Sequence, residues 1–203
     1  MRLFAAVRPP IPVLEHLSGA LLGVLGPSRP DDVRWTAEEN WHLTLAFYGE
    51  VPEGAVEELT ADLAGVARAT APFELSLRGA GVFSHRTLWI GASGDVQAMT
   101  GLSAAAAAVG ADVTGREDDR PRHRPHLTVG RVVAGRGGRA RRTGRAVPQV
   151  QALVHALSLY EGPTWEVDHV LLVHSRPGAG RGGGPLYEDV ARFDLTPDLA
   201  TRP

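Results

Sequence analysis

The feature that most constrains this chain is a short pattern that it carries twice. His42-Leu43-Thr44-Leu45 returns 84 residues later as His126-Leu127-Thr128-Val129. Both copies lie in apolar, β-prone stretches, residues 41–48 and 125–133, which read as strands. Side chains alternate between the two faces of a strand. His42 and Thr44 therefore share one face, with Leu43, Leu45 and Phe47 on the other. His126 and Thr128 likewise share a face, with Leu127 and Val129 behind them. Each strand offers an imidazole and a hydroxyl to one side and anchors itself with aliphatic side chains on the other. Two such strands, from two similar lobes, would face each other with pseudo-twofold symmetry.

The rest of the chain supplies elements to carry these strands. Residues 3–7 form an apolar run stopped by Pro9 and Pro10 and read as a buried strand. Residues 13–25 hold Val13, Leu14, Leu17, Leu21, Leu22 and Leu25 at helical spacing, and residues 55–70, 96–109 and 147–157 also read as helices. Residues 73–78 and 87–92 read as two strands separated by a glycine-rich loop. Residues 33–35, 165–175 and 186–193 complete the strands, and residues 112–124 read as mostly loop. Strands come in pairs and do not alternate with helices, which favours an antiparallel α+β fold. No linker divides residues 1–203, so one bilobal domain is expected.

Two histidines and two threonines suit chemistry at a phosphodiester. One histidine removes a proton from the attacking group and the other gives one to the departing oxygen. An imidazole titrating near about pH 6.5 can serve in either state, and each transfer is typically worth about 10²–10⁴-fold. Threonine hydroxyls can donate to the non-bridging phosphate oxygens. This arrangement calls for no metal and no cofactor. The absence of cysteine excludes a disulfide framework, a thiolate nucleophile and cysteine metal sites. The other histidines (His16, His85, His123, His155, His169 and His174) show no metal-ligand spacing such as H-E-x-x-H. Residues 178–184 are glycine-rich but lack the lysine of a phosphate loop and read as a turn.

At these residues the sequence resembles the two-histidine (2H) phosphoesterases, in particular the RNA 2′,3′-cyclic phosphodiesterases of the LigT or 2′–5′ RNA ligase family. The likeness covers nearly the whole chain. It includes Arg2-Leu3-Phe4-Ala5-Ala6-Val7, Val33-Arg34-Trp35, Glu39-Asn40 leading to His42–Gly49, Thr87-Leu88-Trp89-Ile90-Gly91, Arg124–Arg131, Ser175 and Tyr187. The resemblance implies a bilobal LigT-like fold, with two antiparallel-rich sheets and outer helices around a central groove. It implies hydrolysis of RNA 2′,3′-cyclic phosphate ends to 2′-phosphates. In that reading His42 is the proton donor, His126 the proton acceptor, and Thr44 and Thr128 hold the phosphate; near-symmetry leaves the exchange of the two histidine roles open. Arg131 is a candidate substrate contact, although alternation sets it opposite His126, where a structural salt bridge is the competing role. Ligation would be the reverse of the same reaction, since no Gly-Lys-Ser/Thr loop for ATP is present.

Two other functions compete: a 2H enzyme for a small cyclic phosphate or 2′–5′ oligonucleotide, and an RNA-binding module without chemistry. All basic residues are arginine, and the formal net charge is −2, which excludes a globally basic nucleic-acid coat protein. Residues 135–145 hold five arginines and read as an exposed loop. No run reaches the ~18 apolar residues of a membrane span, and the first apolar run is too short for a signal peptide. The expected protein is a cytoplasmic monomer acting on RNA ends, without a membrane or a stable protein partner.

Overall fold

The structure is a computed structural model, in which residues 1–26, 33–116, 124–133 and 148–196 are described. Strand β1 (Arg2–Val7) leads into helix α1 (Ile11–Leu25), and β2 (Val33–Trp35) and a 3₁₀ turn (Glu38–Asn40) precede β3 (Leu43–Glu50). Helix α2 (Glu53–Arg68), the hairpin of β4 (Phe73–Phe83) and β5 (Thr87–Gly94), and helix α3 (Val96–Thr114) follow. The chain ends with β6 (His126–Val132), α4 (Pro148–Ala156), β7 (Glu161–Val167), β8 (His169–Arg176) and β9 (Leu186–Asp194).

Helix boundaries follow their capping chemistry. Pro12 sits in the first turn of α1, where a missing N–H is harmless. Its buried residues Val13, Leu17 and Leu21 are spaced by four. Asp95 caps α3, its carboxylate accepting from the Ala98 N–H at 2.8 Å. Gly115 ends that helix in the left-handed conformation, at φ 65°. Residues 110–114, expected in part as loop, are thus the last turn of α3. This helix is long and apolar enough to cross a membrane by length and composition. Here it lies on the protein itself, burying Met99, Leu102, Ala106 and Gly110. The Tyr48 hydroxyl donates to the Ala106 carbonyl, and the Tyr48 ring lies where a Gly110 Cβ would meet it at 2.5 Å.

All strand pairs are antiparallel. They form one sheet in the order β7-β4-β5-β6-β3-β1-β8-β9, with β2 on β6. The two expected sheets are two halves of this one. β7-β4-β5-β6 carries the second motif on its innermost strand, and β9-β8-β1-β3 carries the first. The halves meet at one register pair, Leu43 with Leu127. Helices α1 and α4 pack on β7 and β4, while α2 and α3 pack on β9 and β3. Each half therefore has two helices over the core, which gives the pseudo-twofold arrangement expected from the repeated motif.

Two strand readings change. The single strand expected over residues 165–175 is two strands, β7 and β8, which belong to opposite halves. Asp168 alone separates them, and its carbonyl accepts from Leu195 N–H at 2.7 Å. One residue spans only about 3.8 Å, so the sheet must curl to bring its far strands together. The glycine-rich segment after residue 78 is not a loop but the middle of β4. Gly79, at φ 64°, forms a bulge at which the register with β5 shifts. Gly81 is needed because the Trp89 ring lies across its backbone; an added Cβ would sit 2.2 Å from the ring.

These packing constraints give a signed prediction. Gly81→Ala must displace Trp89 and should destabilise by about 1–3 kcal/mol. Gly65→Ala, in α2 with open space beside it, should stabilise by about 0.5–1 kcal/mol. Urea midpoints followed by tryptophan fluorescence check both; shifts of the same sign would contradict this account of Gly81.

Candidate active site

The Leu43–Leu127 pair fixes the geometry of the motifs. Both leucines point into the core and are fully buried, so the residues on either side of them point to the opposite face. Continuing the antiparallel register by one residue each way sets His42 across from Thr128, and Thr44 across from His126. The four motif side chains thus form a quadrilateral on one face. In a regular antiparallel pair the diagonal partners, here the two histidines, stand about 7–8 Å apart. That leaves room for one phosphate between them.

Each imidazole is oriented by the same device. The Nδ1–H of His42 donates to the Asn40 carbonyl at 2.8 Å, and that of His126 to the Arg124 carbonyl at 2.9 Å. A backbone carbonyl can only accept, so Nδ1 carries the proton in both neutral rings and Nε2 is left with its lone pair. At His42, Nε2 lies 3.0 Å from Thr44 Oγ1 and accepts the hydroxyl proton.

The surroundings favour neutral rings. His42 packs on Phe4, at 4.9 Å between centroids, and against Tyr187 edge to face at 5.4 Å. Burial lowers its pKa to about 4; the Asn40 carbonyl opposes this, while Arg8 and His126 add to it. His126 is also held below its usual range by burial, opposed by the Arg124 carbonyl. It meets Phe83 edge to face at 4.8 Å, and Phe83 stacks on Trp89 at 4.9 Å. The Arg124 guanidinium lies 5.3 Å from the centre of the Trp89 ring.

Alternation misplaces two residues, for one reason. β3 bulges where Leu45 and Ala46 both face the core, since Ala5 pairs with Ala46 but Ala6 with Thr44. β6 bulges at the equivalent place, where Val129 and Gly130 are both buried and Leu88 pairs with Gly130 but Trp89 with Thr128. Each bulge reverses the facing of the residues beyond it. Phe47, expected behind the strand, stands 40% exposed beside Phe4 on the histidine side. Arg131, expected opposite His126, is turned to the histidine face, and its charge acts on the Tyr187 phenol that packs on His42. The competing salt-bridge role finds no support, because among the described residues no carboxylate pairs with Arg131.

Phe4, Asn40, Trp89 and Tyr187 enter the sequence reading only as parts of the resemblance, and Phe83 does not enter it. Of the other described histidines, His16 bonds Tyr160, His169 bonds Asp168, and His174 faces Glu188. His123 and residues 135–145 fall outside the described residues. Among the described residues no three His, Asp or Glu side chains form a metal-binding group. Two surface pockets, one by Phe73 and Asp95 and one by Ile11 and Val190, touch neither motif histidine.

A titration checks the electrostatics. The His42 Cε1 proton, followed by NMR, should show a midpoint near about 4 in the free protein. Inorganic phosphate interacts better with the charged ring, so adding it should move the midpoint up. A midpoint at the ordinary 6.5 without phosphate would show that the aromatic cage does not desolvate the ring.

Residues 15–89 match the family model described as LigT like phosphoesterase. A protein of Methanothermobacter thermautotrophicus named RNA 2′,3′-cyclic phosphodiesterase is 31% identical over 172 residues, covering 80% of this chain and 83% of the relative. One of the same name from Archaeoglobus fulgidus is 30% identical over 96% of this chain and all of its own length. Among solved structures, a Thermus thermophilus protein superposes with TM-score 0.72 at 26% identity, over 98% of this chain and all of that one. Escherichia coli LigT in complex with 3′-AMP gives 0.71 at 25%, over 96% and 98%. With the motif pair, the curled antiparallel sheet and relatives aligned over most of their length, this chain belongs to the LigT-like phosphoesterase family.

Proposed function

We propose that this chain is an RNA 2′,3′-cyclic phosphodiesterase that opens the cyclic phosphate to a 2′-phosphate end. The observation that carries the reading is the placement of His42, Thr44, His126 and Thr128 on one face around the Leu43–Leu127 pair. Its named relatives support the same substrate.

In this reaction a water molecule attacks phosphorus in line with the 3′ oxygen. His126 Nε2, neutral and bearing its lone pair, takes the water proton. The bond from phosphorus to the 3′ oxygen breaks, and that oxygen takes a proton from His42 Nε2–H. The products are a 2′-phosphate and a 3′-hydroxyl, and the two histidines end with their protons exchanged. Thr44 and Thr128 donate to the non-bridging oxygens, and Arg131 supplies a positive charge beside them. His42 must be charged to act as the acid. The phosphate anion provides for this by raising the pKa of a ring that is neutral in the free protein.

The stronger depression at His42 favours a second reading, in which His42 is the base and His126 the acid. A 3′-deoxynucleoside 2′-(4-nitrophenyl) phosphate separates the two, because its phosphorus stays on the 2′ oxygen, its sugar has no 3′-hydroxyl to attack, and its leaving oxygen needs no proton. The variant lacking the acid should keep activity on that ester, whereas the variant lacking the base should lose it. The site is built from one chain, and we place the enzyme in the cytoplasm as a monomer with a single bilobal domain, acting where RNA ends are processed.

The direct test is a short RNA ending in a 2′,3′-cyclic phosphate, incubated in excess EDTA, with the product end identified. A 2′-phosphate and a bell-shaped pH profile are expected. His42→Ala and His126→Ala should each lose about 10²–10⁴-fold in rate, and Thr44→Val or Thr128→Val about 10²–10³-fold. Activity that needs an added divalent metal, or that survives both histidine substitutions, would overturn the mechanism.

A further inference from the structure

Three arginines border the histidine face: Arg2 stands across from Glu50 in the β1–β3 register, whereas Arg34 and Arg131 stand across from one another. Arg2, on β1, shares its strand face with Phe4, which packs on His42. Arg34, on β2, stands directly across from Arg131 in the β2–β6 register, and both are exposed. Residues directly opposite one another share a sheet face, so Arg34 joins Arg131 on the side to which the β6 bulge turns it. Among the described residues none of the three has a carboxylate within salt-bridge distance. Three other arginines do: Arg8, just past β1, holds Asp189 through two bonds of 2.8 Å, Arg176 faces Glu188, and Arg192 holds Asp194.

Like charges directly opposite on adjacent strands are destabilising. The Arg34–Arg131 pair is kept nonetheless, in a protein whose formal net charge is −2. Arg34 gives one N–H to the Gly183 carbonyl at 2.6 Å and has most of its five donors left. Arg2 and Arg131 both act electrostatically on the Tyr187 phenol, whose ring packs on His42, so two of the three charges reach the same ring from different strands.

A single cyclic phosphate does not account for them. It carries one negative charge, already answered by Thr44, Thr128 and Arg131 in the function proposed above, on which this inference rests. In an RNA chain the next anion is the phosphodiester one nucleotide upstream. Arg34 and Arg131 have Cβ atoms about 4.5–5.5 Å apart at this pairing, and long side chains let the two serve successive phosphates. We infer that Arg34 and Arg2 form a subsite for the phosphodiester on the 5′ side of the terminal nucleotide. The preferred substrate is then an oligonucleotide of two or more residues, and a nucleoside 2′,3′-cyclic phosphate is a poor one.

The experiment compares kcat/KM for a dinucleotide ending in a 2′,3′-cyclic phosphate with that for the corresponding nucleoside 2′,3′-cyclic phosphate. The wild-type protein should favour the dinucleotide by about tenfold or more, mostly through KM, as for one good charged hydrogen bond. Arg34→Gln, which keeps an amide donor, and Arg2→Gln should each remove most of that advantage and leave the nucleoside substrate unchanged. The salt dependence on the dinucleotide should also weaken, by about 0.7 in log–log slope for each phosphate that is no longer neutralised. Equal efficiency on both substrates in the wild type would overturn the subsite. So would an equal loss on both substrates in Arg34→Gln and Arg2→Gln. Turnover of neither substrate would instead overturn the phosphodiesterase reading, and the subsite with it.

Discussion

Leu43 and Leu127 are the backbone junction between the two halves of the sheet, and the arrangement of the site depends on them. Each is fully buried and each follows its motif histidine. Anchoring both leucines in one core forces both histidines out on the other side, at a separation set by strand spacing. The geometry of the motif residues is therefore a by-product of hydrophobic packing at a single junction. The backbone also sets the chemistry of each ring, through the carbonyl two residues upstream. Asn40 and Arg124 hold Nδ1–H in place, so both Nε2 atoms keep their lone pairs without any further side chain to choose the tautomer.

The paired bulges are the second repeated device. One extra residue in β3 and one in β6 turn Phe47 and Arg131 to the histidine side. The two halves then use equivalent positions for different purposes. One receives an aromatic surface and the other a cation, so symmetry of the backbone ends in asymmetry of the groups on the histidine face. Gly130 permits the second bulge to lie close under β2, since a Cβ there would meet Val33 at 2.7 Å.

The repeated motif made the strands, their core faces and the four motif residues legible from sequence, because period-two alternation needs only local pattern. Long helices such as α1 and α2 were legible for the same reason. The features hidden from sequence depend on pairing. A bulge is defined by a mismatch with the partner strand, so nothing local to Leu45-Ala46 or Val129-Gly130 announces it. The division at Asp168 was hidden because both flanking strands are apolar enough to read as one. Gly79 and Gly81 looked like a loop because glycine commonly marks one; here the first makes a bulge and the second makes way for Trp89. Phe4 and Phe83 were hidden as ordinary apolar strand residues, and their neighbours become apparent only once β1 and β4 are placed.

The Asp168 junction has a further consequence. The halves are tied at several places, among them the Leu43–Leu127 pair inside the sheet, the single residue Asp168 at the β7–β8 passage and the single residue Asp95 between β5 and α3. A jaw needs one pivot and a free end, and this framework has fixed points at both. Binding therefore takes place against walls of set width. Selection between ligands falls to the reach of side chains across that width.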